Sequence, residues 1–143
     1  MRCDEMMKRD VHCCRQDDTL QSIARLMRDQ NIGFVPVCDH DKPIGTVTDR
    51  DLAVRACADG LSPASTKVSQ VMTREVIRCR PSDDVAKAES LMSKNHKSRI
   101  MVCDDGGKLV GVISLSDIAE REDDAHAADT MRQVSERETR PHA

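Results

Sequence analysis

A seven-residue sequence near residue 45 returns near residue 111, and this duplication constrains the fold more than any other feature of the chain. Gly45-Thr46-Val47-Thr48-Asp49-Arg50-Asp51 is matched by Gly111-Val112-Ile113-Ser114-Leu115-Ser116-Asp117. Each copy has a glycine, two apolar or β-branched residues, a hydroxyl residue, two variable positions and an aspartate. An internal repeat of this kind predicts two similar structural units within one chain.

The repeat extends well beyond the heptapeptide. Residues 3–39 align with residues 68–104 without a gap and share 11 identities in 37 positions. One extra residue in the turn at 104–107 shifts the register, after which the two motif glycines and the two motif aspartates match as well. The predicted organisation is a first motif at 3–60, a linker at 61–67, a second motif at 68–121 and a charged C-terminal tail at 122–143.

Each copy shows the same order of predicted elements, β-α-β-β-α. A short strand is expected around Val11 and again around Val76-Ile77. Helices with one apolar face follow, and their predicted starts are the small polar residues at 17–19 and 81–84. A hairpin of two apolar strands comes next, and a second helix begins at Thr48 or Ser114. The pattern predicts a mixed α/β (α+β) fold, with the charged tail either helical or disordered.

Composition excludes several classes of function. The net charge of −3 argues against a general nucleic-acid-binding surface. No apolar run approaches the roughly 18 residues that cross a membrane, and the first residues do not form a signal peptide. Serine-hydrolase, phosphate-loop and metalloprotease motifs are missing from the sequence. We therefore expect a cytoplasmic protein that is not an enzyme and binds neither nucleic acid nor membrane.

Seven cysteines are present, and most fit a reduced, buried role. An odd number, with Cys14/Cys79 and Cys38/Cys103 at equivalent apolar positions, indicates small core residues instead of a disulfide framework. His12, Cys13 and Cys14 offer an alternative, because imidazole and thiolate are zinc ligands. The second copy lacks two of these three residues. A metal-responsive or redox-responsive site at these residues stays open as an alternative.

The duplicated motif resembles that of the CBS domain, named after cystathionine β-synthase. Two β-α-β-β-α copies that each end in Gly-h-h-Thr/Ser-x-x-Asp resemble a tandem CBS pair, or Bateman module. The stretch Thr48-Asp49-Arg50-Asp51-Leu52-Ala53-Val54-Arg55-Ala56 is similar to that of small stand-alone bacterial members. The resemblance covers residues 3–121. It implies two motifs packed with pseudo-two-fold symmetry around a central cleft.

This resemblance also implies a function. Members of the family bind adenosyl ligands such as AMP, ADP, ATP or S-adenosylmethionine between the two motifs and regulate a partner by changing shape. By resemblance, Thr48 and Asp51 contact a ribose in one site, and Ser114 and Asp117 do so in the other. No obligatory cofactor is implied. A homodimer and an unknown effector protein acting in trans are the expected partners.

Other residues around the motifs supply further candidates for the ligand site. Arg50 and Arg99 are chosen for phosphate contact, because a guanidinium fork suits phosphate oxygens. Val35 and Ile100 are expected to form the apolar walls of the two base pockets. The surroundings differ between the copies, so we expect unequal affinities, with the Thr48/Asp51 site the stronger.

A simpler interpretation of the two motifs remains open. A hydroxyl at the N-cap and an acid three residues later can satisfy free helix amides reciprocally, as a capping box that needs no ligand. The corresponding alternative for Arg50 and Arg99 is that both are solvated surface residues with no ligand. The chain could then be a ligand-free dimerisation scaffold.

Overall fold

The computed structural model describes residues 1–121 and 124–138, and the chain divides into two compact units. One unit is the continuous stretch His12–Val76, which we call the middle unit. The other combines Met1–Val11 with the chain from Ile77 onward, and we call it the split unit. Each unit has its own buried core, so each is described separately.

Both units contain helices and a small sheet, which confirms the predicted mixed α/β class. The α-helices are α1 (Cys3–Met6), α2 (Leu20–Gln30), α3 (Asp49–Asp51), α4 (Val85–Asn95), α5 (Leu115–Arg121) and α6 (Asp124–Glu138). The strands are β1 (Phe34–Asp39), β2 (Lys42–Thr48), β3 (Arg78–Cys79), β4 (Arg99–Cys103) and β5 (Leu109–Ser114). Helix α3 continues as a π-helical turn, Leu52–Ala56, and a 3₁₀ turn spans Val68–Gln70.

The first long helix of each unit begins at a polar cap, as predicted. Thr19 precedes α2 and its side chain accepts a hydrogen bond from the Ser22 amide at 3.2 Å. Asp84 precedes α4 and accepts from the Ala86 amide at 2.9 Å. Both helices end at a residue in the left-handed region, which satisfies their last carbonyls. Their buried faces are Leu20, Ile23 and Met27 in α2 and Val85, Ala88, Glu89 and Met92 in α4.

The predicted hairpins form in both units with the same irregularity. Strands β1 and β2 pair antiparallel, and so do β4 and β5. Each register shifts at equivalent places, between Val37 and Cys38 and between Val102 and Cys103. The repeat therefore specifies the register of the hairpins as well as their order.

The first strand of each unit pairs slightly later in the chain than predicted, three residues after Val11 in one copy and directly after Val76-Ile77 in the other. Pairing occurs at Cys14, which bridges Val37 in parallel, and at Arg78–Cys79, which pairs in parallel with β4. The sequence predicts these strands around Val11 and Val76-Ile77. Parallel pairing depends on a partner far along the chain, so local β propensity does not fix its position.

The first residues of each copy, 3–11 and 68–76, which we call its lead-in segment, pair with a strand of the other copy. Lys8 exchanges two backbone hydrogen bonds with Val112 in β5, at 2.9 and 3.0 Å. Thr73, which aligns with Lys8, exchanges two with Thr46 in β2, at 2.8 and 2.9 Å. Because of this exchange, each compact unit contains the lead-in segment of one copy and the remaining elements of the other.

The predicted ranges 3–60, 61–67 and 68–121 follow the repeat along the sequence, and they stay predictions.

Part of the charged tail, for which helix and disorder were both left open, forms helix α6. Val134 and Thr130 are buried on it, and Thr130 donates a hydrogen bond from Oγ1 to Glu89 Oε2 at 3.0 Å. His96 Nδ1 lies 3.0 Å from the carbonyl oxygen of Gln133. These contacts attach α6 to α4 inside the split unit. The remainder of the predicted tail lies outside the described residues.

Candidate functional site

The first motif forms a closed turn at the junction of β2 and α3. Thr48 is the last residue of β2 and the N-cap of α3. Its Oγ1 accepts a hydrogen bond from the Asp51 amide at 3.1 Å, and Asp51 Oδ2 accepts from the Thr48 amide at 3.0 Å. These two bonds are the capping box that the sequence left open as an interpretation. The helix start is therefore stabilised by the residues that were predicted to bind a ligand.

The second motif repeats this geometry at the junction of β5 and α5. Ser114 Oγ accepts from the Asp117 amide at 3.1 Å, and Asp117 Oδ2 accepts from the Ser114 amide at 2.8 Å. Ser114 Oγ also lies 2.8 Å from Ser116 Oγ. The side chain of Asp117 is 6% exposed, compared with 14% for Asp51. The second carboxylate is the less accessible of the two.

Each motif aspartate has a cation at its other carboxylate oxygen. Arg55 Nε lies 3.7 Å from Asp51 Oδ1, and Lys8 Nζ lies 3.2 Å from Asp117 Oδ1. Arg55 Nη1 additionally donates to the backbone carbonyls of Val71 and Met72, at 3.1 and 3.2 Å. Neither cation was predicted. Arg55 could have been found, because it follows Asp51 by four residues on one helix, whereas the sequence has no local signal for Lys8.

The two predicted phosphate-binding arginines lie beside the motifs. Arg99 begins β4 and is the cross-strand partner of Ser114, so it flanks the second turn. Arg50 lies inside the first turn, and its amide donates to Asp49 Oδ1 at 2.8 Å. Both residues are exposed. Their role in binding phosphate stays a prediction.

Val35 and Ile100, the predicted base-pocket walls, are fully buried. Each has 0% of its surface exposed and belongs to the hydrophobic core of its unit. Their cross-strand partners, Val47 and Ile113, are equally buried. In this conformation the two side chains contribute to the cores, and their role as walls of the base pockets stays a prediction.

The alternative site at His12, Cys13 and Cys14 does not form a metal-binding cluster. Among the described residues, no group of three or more His, Cys, Asp or Glu side chains could hold a metal ion. Burial raises the pKa of the Cys14 thiol to about 12. A hydrogen bond with Cys38 instead lowers the pKa of Cys13, whose side chain is exposed. The geometry thus offers thiols in two different environments and no common ligand set.

The chain belongs to the CBS domain family, which matches residues 3–56 and 68–124. It is 33% identical over 115 residues to the CBS domain-containing protein YhcV of Bacillus subtilis, covering 80% of this chain and 81% of that protein. It is also 33% identical over 119 residues to an uncharacterized protein of Methanopyrus kandleri, covering 82% of this chain and only 61% of that protein. The resemblance inferred from the duplicated motif is therefore confirmed.

Solved structures show the same fold. The CBS domain pair of protein MJ0100, in complex with 5′-methylthioadenosine and S-adenosyl-L-methionine, is 25% identical with a TM-score of 0.74. The match covers 84% of this chain and 94% of that chain. Hypoxic Response Protein I with two coordinated zinc ions is 26% identical with a TM-score of 0.77, over 86% of this chain and all of that chain.

Within the described residues of the present chain, no helix is both long and apolar enough to cross a membrane.

Proposed function

We propose that this chain is a regulatory ligand-sensing module that binds an adenosyl ligand at its hydroxyl–aspartate turns and has no catalytic activity of its own. One observation carries the proposal: the same hydroxyl and carboxylate geometry occurs twice, with a cation at the second carboxylate oxygen each time. The complex of a similar CBS pair with two adenosyl ligands supports the choice of ligand class.

The carboxylate of each motif retains acceptor capacity for a ribose. An ionised carboxylate offers about four lone-pair sites and donates nothing. The capping box uses one site on Oδ2, and the neighbouring cation approaches Oδ1. The 2′- and 3′-hydroxyls of a ribose are two adjacent donors that fit the remaining sites. A ligand can thus bind Asp51 or Asp117 without breaking the cap.

The Thr48/Asp51 turn is the stronger candidate of the two. Its ion pair is long, with 3.7 Å between Arg55 Nε and Asp51 Oδ1. The corresponding distance from Lys8 Nζ to Asp117 Oδ1 is 3.2 Å, and Asp117 is more deeply buried. Binding of a ligand to Asp51 therefore disrupts a weaker ion pair than binding to Asp117 does. In this proposal Arg50 and Arg99 contact the phosphates of a nucleotide, if the ligand carries any.

Regulation by such a module requires a second protein or a second copy of the chain. We propose a homodimer that reports ligand occupancy to an effector protein in trans. A ligand shifts a conformational equilibrium only through its different affinity for the two states. Size-exclusion chromatography with light scattering, with and without ligand, measures the oligomeric state and any change in it.

A thermal-shift panel tests the adenosyl-ligand proposal directly. The wild-type chain is melted with AMP, ADP, ATP, 5′-methylthioadenosine, S-adenosylmethionine, NAD or zinc. A ligand at 100 times its Kd stabilises the folded state by about 2.7 kcal/mol. At least one adenosyl compound is expected to raise the melting temperature, and titration calorimetry then gives its Kd and stoichiometry.

Asp51→Asn and Asp117→Asn are the matched variants for this panel. Asparagine keeps one side-chain oxygen for the cap amide but loses the charge and one acceptor oxygen. Each variant is therefore expected to fold and to lose the ligand-induced shift at its own site. A flat response of the wild type to every adenosyl compound would refute the proposal and leave the ligand-free scaffold as the better interpretation.

Zinc is included in the panel because a metal-responsive function is the alternative for this chain. The described residues contain no ready cluster of ligands, so we expect no stabilisation by zinc. Stoichiometric zinc binding that is lost in Cys13→Ser would favour the metal-responsive function over the adenosyl sensor.

A further inference from the structure

Two cysteines that are far apart in the sequence lie side by side in the core of the split unit. Cys79 Sγ donates a hydrogen bond to Cys3 Sγ, and the two sulfurs are 3.6 Å apart. Cys3 lies in the four-residue helix α1, and Cys79 lies in β3. Their side chains are 0% and 3% exposed. The pair thus joins the N-terminal segment to a part of the chain 76 residues further on.

The equivalent position in the middle unit shows that packing alone does not require this thiol pair. In the sequence repeat Cys3 aligns with Val68, and Cys79 aligns with Cys14. Val68 and Cys14 both belong to the buried core of the middle unit. A valine therefore fills in one copy the place that a second thiol fills in the other. The thiol at residue 3 adds a chemical property that the repeat does not need for its fold.

We propose that Cys3 and Cys79 form a reversible disulfide that locks residues 1–11 onto the rest of the split unit. A disulfide has a sulfur–sulfur bond of about 2.05 Å, so the two atoms must approach by roughly 1.5 Å. Side-chain rotation with a small movement of the terminal helix supplies such an approach. This inference is independent of the proposed ligand.

The segment that would be locked is attached by hydrogen bonds to several parts of its unit. The Cys3 and Asp4 amides donate to the carbonyls of Asp83 and Pro81, at 2.8 and 2.9 Å. Lys8 pairs with Val112 in β5. These bonds hold Cys3 against Cys79 while the segment is docked. Because chain termini open more easily than core elements, a transient opening of residues 1–11 exposes Cys3 to an oxidant in solution.

The oxidation follows ordinary thiol–disulfide exchange with a small-molecule disulfide such as oxidised glutathione. The Cys3 thiolate attacks one sulfur of the oxidant, forms a mixed disulfide and releases one glutathione thiolate. After the segment docks again, the Cys79 thiolate attacks Cys3 Sγ and the second glutathione leaves as a thiol. Overall the two cysteines lose two protons and two electrons, and the oxidant is reduced to two thiols.

The position of the two cysteines assigns the attacking role to Cys3. Opening of residues 1–11 carries Cys3 into solution and leaves Cys79 in β3, so Cys3 meets the oxidant first. In the docked state the hydrogen bond that Cys79 donates lowers the pKa of the Cys3 thiol. That hydrogen bond, together with burial, raises the pKa of the Cys79 thiol.

Peptide mapping of the full chain tests the proposal. The reduced protein is treated with oxidised glutathione under native conditions, its remaining thiols are alkylated in denaturant, and it is digested with trypsin without reduction. Residues 3–8 and 79–87 form tryptic peptides with one cysteine each. We expect these two peptides to be linked in most molecules and to separate after reduction. The oxidised protein is also expected to melt at a higher temperature than the reduced one.

Two variants complete the experiment. Cys3→Val reproduces the side chain of the middle unit, so it is expected to fold, to give no 3–8/79–87 linkage and to show no oxidation-dependent melting shift. Cys57→Ser, at an exposed cysteine, is the matched control and is expected to behave as the wild type. The proposal is wrong if Cys57 becomes glutathionylated in the wild type while peptides 3–8 and 79–87 remain unlinked.

Discussion

The first residue of each motif, Gly45 or Gly111, is predicted to differ sharply in its tolerance of alanine. A Cβ at Gly45 would collide with the backbone carbonyl oxygen of Thr73 and come within 2.5 Å of Met72 Cε. The three atoms nearest to a Cβ at Gly111 all belong to the side chain of Met7, with Sδ at 2.5 Å, Cγ at 2.8 Å and Cβ at 3.0 Å. One position is closed by backbone and the other by a flexible side chain.

The expected loss of unfolding free energy depends on whether the neighbouring atoms can move away from the added Cβ. The carbonyl of Thr73 accepts the Thr46 amide at 2.8 Å, so it cannot move away without breaking the two-bond bridge between these residues. Overpacking costs about 1–3 kcal/mol, and each lost hydrogen bond costs about 0.5–1.5 kcal/mol. Against this, replacing glycine with alanine lowers the entropy of the unfolded chain and stabilises by about 0.4–1 kcal/mol. With two hydrogen bonds lost, the middle of each range gives a net loss of about 3 kcal/mol for Gly45→Ala.

For Gly111→Ala the same terms nearly cancel. Met7 is unbranched, and another rotamer moves its Sδ and Cγ away. Its Cβ, at 3.0 Å, needs a shift of only a few tenths of an ångström, so the steric cost falls to the low end of about 1 kcal/mol. The expected net loss is about 0–1 kcal/mol after the entropic gain. Urea denaturation of the wild type and both variants gives the two free energies, and an unchanged m value confirms that the comparison is valid. Equal losses in the two variants, or a larger loss in Gly111→Ala, would refute the reasoning.

Three further predictions concern the motif aspartates, the π-helical turn and one buried thiol. Asp117→Ala is expected to destabilise the chain by about 1–2 kcal/mol, because the second carboxylate is more buried and has the shorter ion pair. Thermal melts should show a larger drop in melting temperature for Asp117→Ala than for Asp51→Ala. Arg55→Lys should lower the free energy of unfolding by about 1 kcal/mol, because an ammonium cannot contact Asp51 and two backbone carbonyls together as the guanidinium does. Urea denaturation measures this loss, and an unchanged free energy would contradict the structural role of Arg55. Burial raises the pKa of Cys14 from 9.0 to about 12, so the unfolded chain releases this proton first as the pH rises and stability is lost between pH 9 and 12. That loss is on the order of 1 kcal/mol at pH 10. The Cys14→Ala variant should therefore show a smaller difference between urea midpoints measured at pH 8 and pH 10.

The sequence predicted the elements whose signals are local. The polar cap Thr19 and the apolar face of α2 lie within one stretch, as do Asp84 and α4. Both hairpins were predicted from apolar runs flanking a short polar turn. Each of these signals is complete within about 12 residues, so tertiary structure was not needed to recognise them.

Features that depend on distant contacts were missed. Cys14 and Cys79 occupy the first-strand positions because they pair in parallel with Val37 and Val102, and nothing near Val11 specifies that partner. The ion pair between Lys8 and Asp117 joins residues 109 positions apart. The repeat does relate Lys8 to Thr73, but their side chains differ in chemistry. Such contacts follow from the docking of the lead-in segments, which a sequence pattern does not encode.

The predicted site residues were brought together only in part. The hydroxyl and aspartate of each motif are hydrogen-bonded, and Arg99 lies next to Ser114 across the ladder. Val35 and Ile100 were chosen as apolar neighbours of the motifs, yet strand alternation points them into the cores. Burial in the cores accounts for the apolar character of both residues, and their role as base-pocket walls stays a prediction.

The cations at the motif aspartates give the proposed ligand a physical route to a response. A ribose that binds Asp117 competes with Lys8 for Oδ1, and Lys8 belongs to the N-terminal segment 1–11. A ribose that binds Asp51 competes with Arg55, which also holds two backbone carbonyls of the 3₁₀ region. A ligand at either aspartate would therefore weaken the ion pair to the neighbouring cation while leaving the capping box intact. A conformational state in which that ion pair is already broken would bind the ligand more tightly than a state that keeps it, and a ligand-driven shift requires such a difference in affinity.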